Sequence, residues 1–517
     1  VLRTAMAKPM STPLRRNCLA IWAAWAVVLG LPAAGLAQSI DQAVQAYNDD
    51  DFEDAAYLFY DVSRNTDDPD DRVKAEYYLA HSLFRAGYLL PAFDFYLEVF
   101  TQGEEHPYFL KATEGLLRFS EKMEDDVLVP SVVDRGYTTA FSGLKAEDLN
   151  AVNYMVGLLA YNQRDFAESQ QFLQAITDED SPYYIKARYL LAIISVQVAR
   201  SQGSADYTRA IEYFTEIEDV LEDSAEPRLR KLRRLATLGK ARAYYSQGDY
   251  EKSVASYQEV PRFSDDWYDA MYESGWAYWH VGEFGKALGM VHSVHSPYFD
   301  DRFRPESFVL KATTYFQRCH FDRVRITLDD FFAVYEPMAE ELEPWVEGNV
   351  SAEEYVDAIV NGAPNLPEKV RLSVATNRKF RRYLQGLQEA DREIERARAE
   401  FPDGNFKGLL LSLLQDLRAG WLEVTARVVA QKIATHSTFL DNFLNQARII
   451  KFETSDAERK MLEAGKDITK GPRAKGPRPV VPNAKFQYWA FNGEYWVDEL
   501  GYYQHSIKDE CIPEVFQ

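Results

Sequence analysis

Large apolar and small residues recur in a fixed register between positions 52 and 328 of this chain. An aromatic or apolar residue is followed three positions later by a small one, and another large apolar residue stands four positions further on. The first position holds Phe52, Leu89, Phe166, Tyr207, Tyr250, Phe284 and Phe321. The second, small in every unit but the last, holds Ala55, Ala92, Ser169, Ala210, Ser253, Ala287 and Val324. The third holds Phe59, Tyr96, Leu173, Phe214, Tyr257, Val291 and Leu328. Because steps of three and seven residues return to one face of a helix, the pattern predicts amphipathic α-helices.

The spacing of these units is that of a helical repeat. Successive small positions lie 34 to 43 residues apart, except for one interval of 77 residues between Ala92 and Ser169. That interval is about two units long and predicts one degraded repeat within 107–149. The period predicts a solenoid in which each unit packs only on its neighbours. A helical bundle with accidental similarity is the alternative.

The clearest unit, at 271–297, has small residues on a first helix, a glycine turn and an aromatic that opens a second helix. These features are carried by Gly275, Ala277, Tyr278, Gly282, Phe284 and Ala287. Small side chains let two antiparallel helices approach closely, and glycine permits the positive φ of the turn. The motif resembles the tetratricopeptide repeat. The resemblance implies an all-α fold, a right-handed superhelix of about seven to eight helical hairpins over 38–345.

Beyond the repeats the pattern changes. Residues 346–465 form the next predicted domain, a long helical hairpin whose two arms are 367–401 and 406–465. The break between the arms is Pro402-Asp403-Gly404, and the second arm carries apolar residues at near-heptad spacing. The hairpin either caps the solenoid or reaches a partner, and capping is the expectation.

Two further segments follow the hairpin. Residues 466–485 are a basic linker rich in Pro and Gly. Residues 486–517 are an aromatic C-terminal element, with short extended segments around an Asn492-Gly493 turn. So aromatic a segment is expected to dock on the hairpin or on a partner. The candidate partner-binding residues are Trp279, which lies off the repeat register, and Trp489, Phe491, Tyr495, Trp496 and Tyr502.

The N-terminal segment 1–37 reads as a secretory signal peptide cut after Ala37, with Arg15 and Arg16 before an apolar run and small residues after it. The alternative, an uncleaved anchor helix, fits less well because the run is shorter than the roughly 20 residues that span a bilayer. Cys18 precedes the run, so there is no lipobox. The expected location is the periplasm, with no stable transmembrane span after cleavage. There Cys319 and Cys511 can form a disulfide; the sequence favours two unrelated thiols, one on a repeat turn and one in the tail.

A formal net charge of -22 disfavours nucleic acid as a partner, because an acidic surface repels phosphates. No catalytic motif, cofactor site or metal site is predicted, and the chain is expected not to be an enzyme. His292 and His295 form an H-x-x-H pair without a third ligand, so solvent-facing histidines are expected there.

The whole arrangement resembles the periplasmic tetratricopeptide proteins of the bacterial adventurous gliding-motility machinery. The distinctive part is the aromatic run WAFNGEYWVDELGYY with a late Cys511. The resemblance implies a non-enzymatic scaffold that mediates protein–protein interactions in a cell-envelope complex. Other envelope proteins would then be its partners, through a peptide or helix held in the repeat groove. The alternative is an envelope module that binds peptidoglycan or another glycan.

Overall fold

The computed structural model describes residues 39–465, 483–485, 487 and 493–511. Over these ranges the chain forms twenty α-helices, three short 3-10 helices and no β-strand, so the predicted all-α repeat fold is confirmed. The first sixteen helices follow one another as eight hairpins: α1 Ile40–Asn48 and α2 Phe52–Asn65, α3 Pro69–Ala86 and α4 Leu89–Thr101, α5 Phe109–Met123 and α6 Leu128–Arg135, α7 Ala146–Gln163 and α8 Phe166–Gln174, α9 Tyr184–Ser201 and α10 Thr208–Val220, α11 Pro227–Gln247 and α12 Tyr250–Glu259, α13 Trp267–Val281 and α14 Phe284–Val294, α15 Glu306–Gln317 and α16 Phe321–Glu347. The predicted signal peptide at 1–37, residues 466–482 of the predicted linker and Asn492 of the predicted turn lie outside the described residues.

The small position of the register lies where the two helices of a hairpin cross. Its residues are fully buried in every unit from Ala55 to Val324. Where it is a serine, the hydroxyl donates to a carbonyl of the facing helix, from Ser169 to Gly157 at 2.6 Å and from Ser253 to Ala241 at 2.9 Å. The crossing therefore satisfies a small polar side chain without widening the gap between the helices.

In six of the seven registered hairpins the turn has left-handed backbone two residues before the first register position, and in the hairpin of Tyr207 the positive φ falls at Gly203 instead. Gly282 supplies it before Phe284 with φ of 88°. In the last hairpin the equivalent residue, two before Phe321, is Cys319 with φ of 58°. A side chain costs roughly 1 kcal/mol more than glycine in this conformation. A cysteine therefore occupies the position that suits glycine in the preceding repeat.

The degraded interval contains a hairpin of its own, α5 and α6, with a different turn. Asp125 is buried there and caps α6, accepting the N–H groups of Leu128 at 3.0 Å and Val129 at 2.7 Å. The Asp125 carboxylate thus accepts hydrogen bonds from the otherwise unpaired amides at the start of the short helix, in a turn that has no glycine.

The hairpin beyond the repeats begins later than position 346. The 27-residue helix α16 runs to Glu347, and two short helices, α17 (Ala352–Val360) and α18 (Glu368–Ala375), come before the first arm. The arms are α19 (Arg378–Glu400) and α20 (Asn405–Glu463). The first predicted arm is broken because Asn377 caps α19, its side-chain oxygen accepting from the amides of Lys379 and Phe380 at 3.0 and 3.3 Å.

Helix α20 connects early repeats to late ones. Its 59 residues span roughly 90 Å at 1.5 Å per residue. Near its start, Phe406 and Leu410 belong to the same core as α2–α5. Further along, Ile433 and Leu440 share a core with α16, and near its end Met461 packs beside Cys319. The hairpin therefore joins the early repeats to the last one.

Candidate functional site: a groove that holds the C-terminal segment

Residues 493–511, called the tail below, lie against the late repeats. They lie in a tail groove defined by Gly285, Gly289 and Ser293 on α14, by Arg262 before α13, and by the turn 318–320. The expectation that this region docks on the hairpin or a partner needs correction, because its main contacts are with the repeats themselves.

Two glycines one helical turn apart open the groove. A Cβ atom on Gly289 would lie 1.7 Å from the carbonyl oxygen of Tyr503, and one on Gly285 would lie 2.4 Å from that of His505. The nearest atoms at both positions belong to the tail. A bare helix surface is therefore what lets the tail backbone come this close.

The tail backbone forms hydrogen bonds in the groove. The amide of His505 donates to the carbonyl of Gly285 at 2.9 Å, and the amide of Gly501 donates to the hydroxyl of Ser293 at 2.8 Å. Gly501 has φ of 82° and packs on the indole of Trp267. These backbone contacts fix the register of the tail, and most of its side chains take no part in them.

Arg262 binds the start of the tail. One guanidinium nitrogen lies 3.3, 2.9 and 3.1 Å from the carbonyl oxygens of Val497, Asp498 and Leu500. The same guanidinium lies over the ring of Tyr502, 4.6 Å from its centroid. A single cation thus binds three carbonyl groups within four residues, at and just after the short 3-10 helix Val497–Glu499.

The far end of the tail is held at the turn before α16. The amide of Glu510 donates to the carbonyl of Arg318 at 3.1 Å, and His320 Nε2 lies 2.7 Å from the carbonyl oxygen of Lys508. Arg318 also forms a 2.8 Å ion pair with Asp509. The groove therefore presents cations to an acidic segment.

A covalent bond completes this end. Cys319 and Cys511 form a disulfide, with a Cα–Cα distance of 5.1 Å across a sequence separation of 192 residues. Of the two alternatives for the cysteines, the structure contains the pair and not two unrelated thiols. The reason is that the docked tail brings position 511 to the repeat turn. Cys319 is buried, whereas Cys511 is partly exposed.

Histidines line the middle of the contact, contrary to the expected solvent-facing pair. His292 stacks on Tyr495 with ring centroids 4.6 Å apart and meets the edge of Tyr503 at 4.8 Å. Burial lowers the pKa of His292 to about 4 and that of His505 to about 3. His295 is also buried, 2.7 Å from the hydroxyl of Ser307, and burial lowers its pKa to about 3. These rings pack as neutral groups.

The other candidate partner-binding aromatics lie in different settings. Trp279 is partly buried between Trp276 and Phe284 and lies outside the tail groove. Trp496 and Tyr502 are 52% and 60% exposed on the docked tail. Trp489 and Phe491 lie outside the described residues.

A second contact, absent from the sequence prediction, joins the hairpin to α4. Glu393 on α19 is fully buried, and its carboxyl oxygens accept from the amides of Leu89 at 2.7 Å and Leu90 at 3.2 Å. It caps a helix whose own N-cap, Tyr88, supplies no side-chain hydrogen bond. Burial raises the pKa of Glu393 to about 8. Tyr88 shares this lack with Tyr108, Tyr183 and Tyr207, so the sequence alone does not single out this helix.

Arg396 and Glu400 lie beside Glu393. Together with Phe406 these residues form what is called the hairpin contact below. Arg396 donates to the carbonyl of Ala86 at 3.0 Å and lies over the ring of Tyr88 at 4.4 Å. The Tyr88 hydroxyl donates to Glu400 at 2.6 Å. Glu393, Arg396 and Glu400 therefore all form hydrogen bonds to the turn between α3 and α4 or to the residue that opens α4.

Comparison with known proteins adds a fold likeness and no family. Neither a protein-family model nor a curated protein matches this chain. Among solved structures, the apo form of RapI is similar over 66% of this chain and 97% of that chain, with 12% sequence identity and a TM-score of 0.37. At those values the likeness carries no argument for function. The class defined by the coordinates themselves is a helical-repeat protein.

Among the described residues, no helix combines the length and the apolar character needed to cross a bilayer. No group of three or more His, Cys, Asp or Glu side chains among them comes together as a metal site.

Proposed function

We propose that this chain is a non-enzymatic scaffold that holds other proteins in a cell-envelope complex. The observation that carries the proposal is the tail groove, where the repeat stack holds an extended polypeptide by its backbone. A surface that binds one extended segment this way is suited to binding others of compatible shape. The repeat stack supplies the rigid frame on which such sites keep fixed positions.

Location in the periplasm is part of the same proposal. The signal-peptide pattern at 1–37 supports it. The Cys319–Cys511 disulfide supports it as well, because disulfides persist in oxidising compartments. Membership of a gliding-motility complex is the finer proposal, supported by the resemblance of the aromatic C-terminal run.

The test is co-purification of the tagged, full-length protein from cross-linked cell envelopes. We expect the same envelope proteins to be recovered in replicate preparations, and recovered poorly when Ala287→Trp distorts a hairpin crossing. An exposed substitution, Phe452→Ala on α20, is the matched control. Recovery of the chain alone in every preparation would contradict the proposal.

A glycan-binding envelope module is the second candidate. The exposed rings of Trp496 and Tyr502 favour it, because aromatic faces and basic segments suit sugar polymers. Cosedimentation with purified sacculi separates the candidates. Binding that is lost in a Trp496→Ala, Tyr502→Ala double variant supports the glycan module, and absence of sedimentation removes it.

A further inference from the structure

The contacts between tail and groove do not depend on the tail belonging to the same chain. Most are hydrogen bonds to tail backbone, contributed by Gly285, Ser293, Arg262 and the turn 318–320. Any copy of the segment 493–511 offers the same groups in the same order. The only covalent requirement at the site is a bond between Cys319 and Cys511.

Charge selects this particular tail. The whole chain carries a formal net charge of -22, yet the groove presents Arg262 and Arg318. The tail is rich in carboxylates: Glu494, Asp498, Glu499, Asp509 and Glu510. Arg318 pairs with Asp509 of the tail, and two arginines in an otherwise acidic protein attract an acidic strand and repel a basic one. A second copy of this chain carries the strand that fits.

Chain length allows the tail to reach another molecule. The 27 residues 466–492 separate the end of the described hairpin at Gly465 from the start of the tail at Gly493. A segment of that length has a maximum extension of about 90 Å. The tail of one molecule can therefore enter the groove of a neighbour while both repeat stacks remain intact.

We propose that the tail groove is an assembly site for the tail of a second copy, closed by an intermolecular disulfide between Cys319 of one chain and Cys511 of the other. The proposal rests on the scaffold function, since it names a partner for that scaffold. Each chain has one groove and one tail, so the contact is head-to-tail and links copies into rings or filaments. The docked tail seen in one chain is the closed, monomeric form.

Thiol–disulfide exchange converts the closed form into the linked form without a net oxidant. The Cys319 thiolate of a reduced chain attacks the Cys511 sulfur of an oxidised chain. A bond forms between these two sulfurs, the internal disulfide of the second chain breaks, and its Cys319 leaves as a thiolate. The reduced chain keeps its own Cys511 as a thiol, so one thiolate enters and one leaves, and the released thiolate can attack a third chain.

The test mixes two full-length variants that cannot close on themselves, both in a Cys18→Ser background. The acceptor carries Cys511→Ser and Gly501→Val, which weakens its own tail because Gly501 has positive φ and lies against Trp267. The donor carries Cys319→Ser. In a buffer of reduced and oxidised glutathione, the donor thiol first forms a mixed disulfide with glutathione, and acceptor Cys319 then displaces glutathione as a thiolate.

We expect a disulfide-linked dimer on non-reducing gels, severalfold more abundant than with either variant alone, with Cys319 and Cys511 joined in its peptide map. Adding Gly289→Ala to the acceptor should abolish it, because the new methyl occupies the position of the Tyr503 carbonyl. Gly420→Ala on α20, where a Cβ meets nothing within 4 Å, should leave it unchanged. Circular dichroism verifies that each variant is folded.

Two results would overturn the proposal: no dimer beyond that of the single variants, or a dimer unaffected by Gly289→Ala. Either leaves the scaffold function standing, because these purified chains contain no envelope partner. Failure of co-purification from envelopes, with dimer formation intact, would instead remove the scaffold proposal and leave self-assembly.

Discussion

The hairpin contact and the tail contact both join distant parts of the chain to the repeats, but by different means. At the hairpin contact, helices bury large side chains such as Phe406 and a carboxyl group, Glu393. At the tail contact, an extended backbone lies on glycines and is fastened by one disulfide. Burial of side chains makes the first contact part of the core. The second contributes little core and is therefore the one suited to release and exchange.

The largest expected effect is at the start of α20. Phe406 is 1% exposed, with its ring 4.8 Å from Tyr60 and 5.3 Å from Phe401. Phe406→Ala should lower the free energy of unfolding by about 3–5 kcal/mol, the usual cost of such a cavity. Phe452→Ala on the same helix, 75% exposed, should change it by less than about 0.5 kcal/mol. Equal effects in chemical denaturation would show that the hairpin contact is not core.

A smaller effect is expected at the buried cap. Glu393→Ala removes the acceptor for the amides of Leu89 and Leu90 and should cost about 1–3 kcal/mol, the penalty for buried unpaired donors. Glu393→Gln retains a carbonyl acceptor and should recover most of that loss near pH 8. Thermal unfolding of the three proteins measures both. A Gln variant as unstable as the Ala variant would argue against the capping role.

The two contacts should respond to pH in opposite directions. The docked pKa of Glu393, about 8, exceeds the free value of 4.5, so the hairpin contact is strongest below 4.5 and weakens as pH rises towards 8. The nearby Glu389 also raises the pKa of Glu393, whereas Arg396 lowers it. The stability difference between wild type and Glu393→Gln should therefore shift in favour of Gln between pH 5 and 8. A difference independent of pH would contradict the buried, protonated carboxyl.

At the tail contact, the docked pKa values of His292 and His505 lie below the free value of 6.5, and nearby Lys311 lowers both further. The undocked state therefore binds more protons than the docked state. The stabilisation that these two histidines give to docking is fully present above about pH 6.5 and is lost as the pH falls through about 4 and 3. Histidine ring signals in NMR titrations of the oxidised protein should show both residues neutral at pH 6. Ordinary titration near 6.5 would mean that the tail is not docked.

The smallest effect is expected from Arg262→Ala. The variant loses three carbonyl contacts and a ring contact at the start of the tail, on a partly exposed guanidinium, and should weaken docking by roughly 1 kcal/mol. Global unfolding should hardly change, because the contacts that are lost are with the tail and not within the repeat core. Faster amide exchange at Leu500 and Gly501 is the expected sign. Unchanged exchange there would assign the tail register to the glycines alone.

The repeat stack could be predicted because its determinants are local. Phe284 and Ala287 mark the start and the crossing of a helix within one unit, and six of the seven first positions open the second helix of their hairpins, Tyr207 standing as an N-cap. Beyond the repeats the helix boundaries are harder to predict, because α17 and α18 carry no repeat pattern and the break before α19 depends on a single capping residue, Asn377.

The two long-range contacts could not be derived in the same way. Glu393 bonds to an amide 304 residues away, and on its charged helix nothing distinguishes it from its exposed neighbours. Gly285 and Gly289 stand outside the apolar register, so the pattern that found the repeats passes over the groove. The spacing of four residues between these two glycines on one helix was a local sign of the tail groove, whereas the sequence held no such sign for Glu393.

Amide hydrogen exchange before and after reduction tests most directly whether the two contacts differ in kind. Reduction of the disulfide should accelerate exchange at Gly501, His505 and Glu510 by about 30-fold or more, since a cross-link of this type contributes ~2 kcal/mol or more. Exchange at Leu89 and Leu90, under the hairpin, should stay slow. Loss of protection at both sites together, or at neither, would contradict a permanent contact paired with a releasable one.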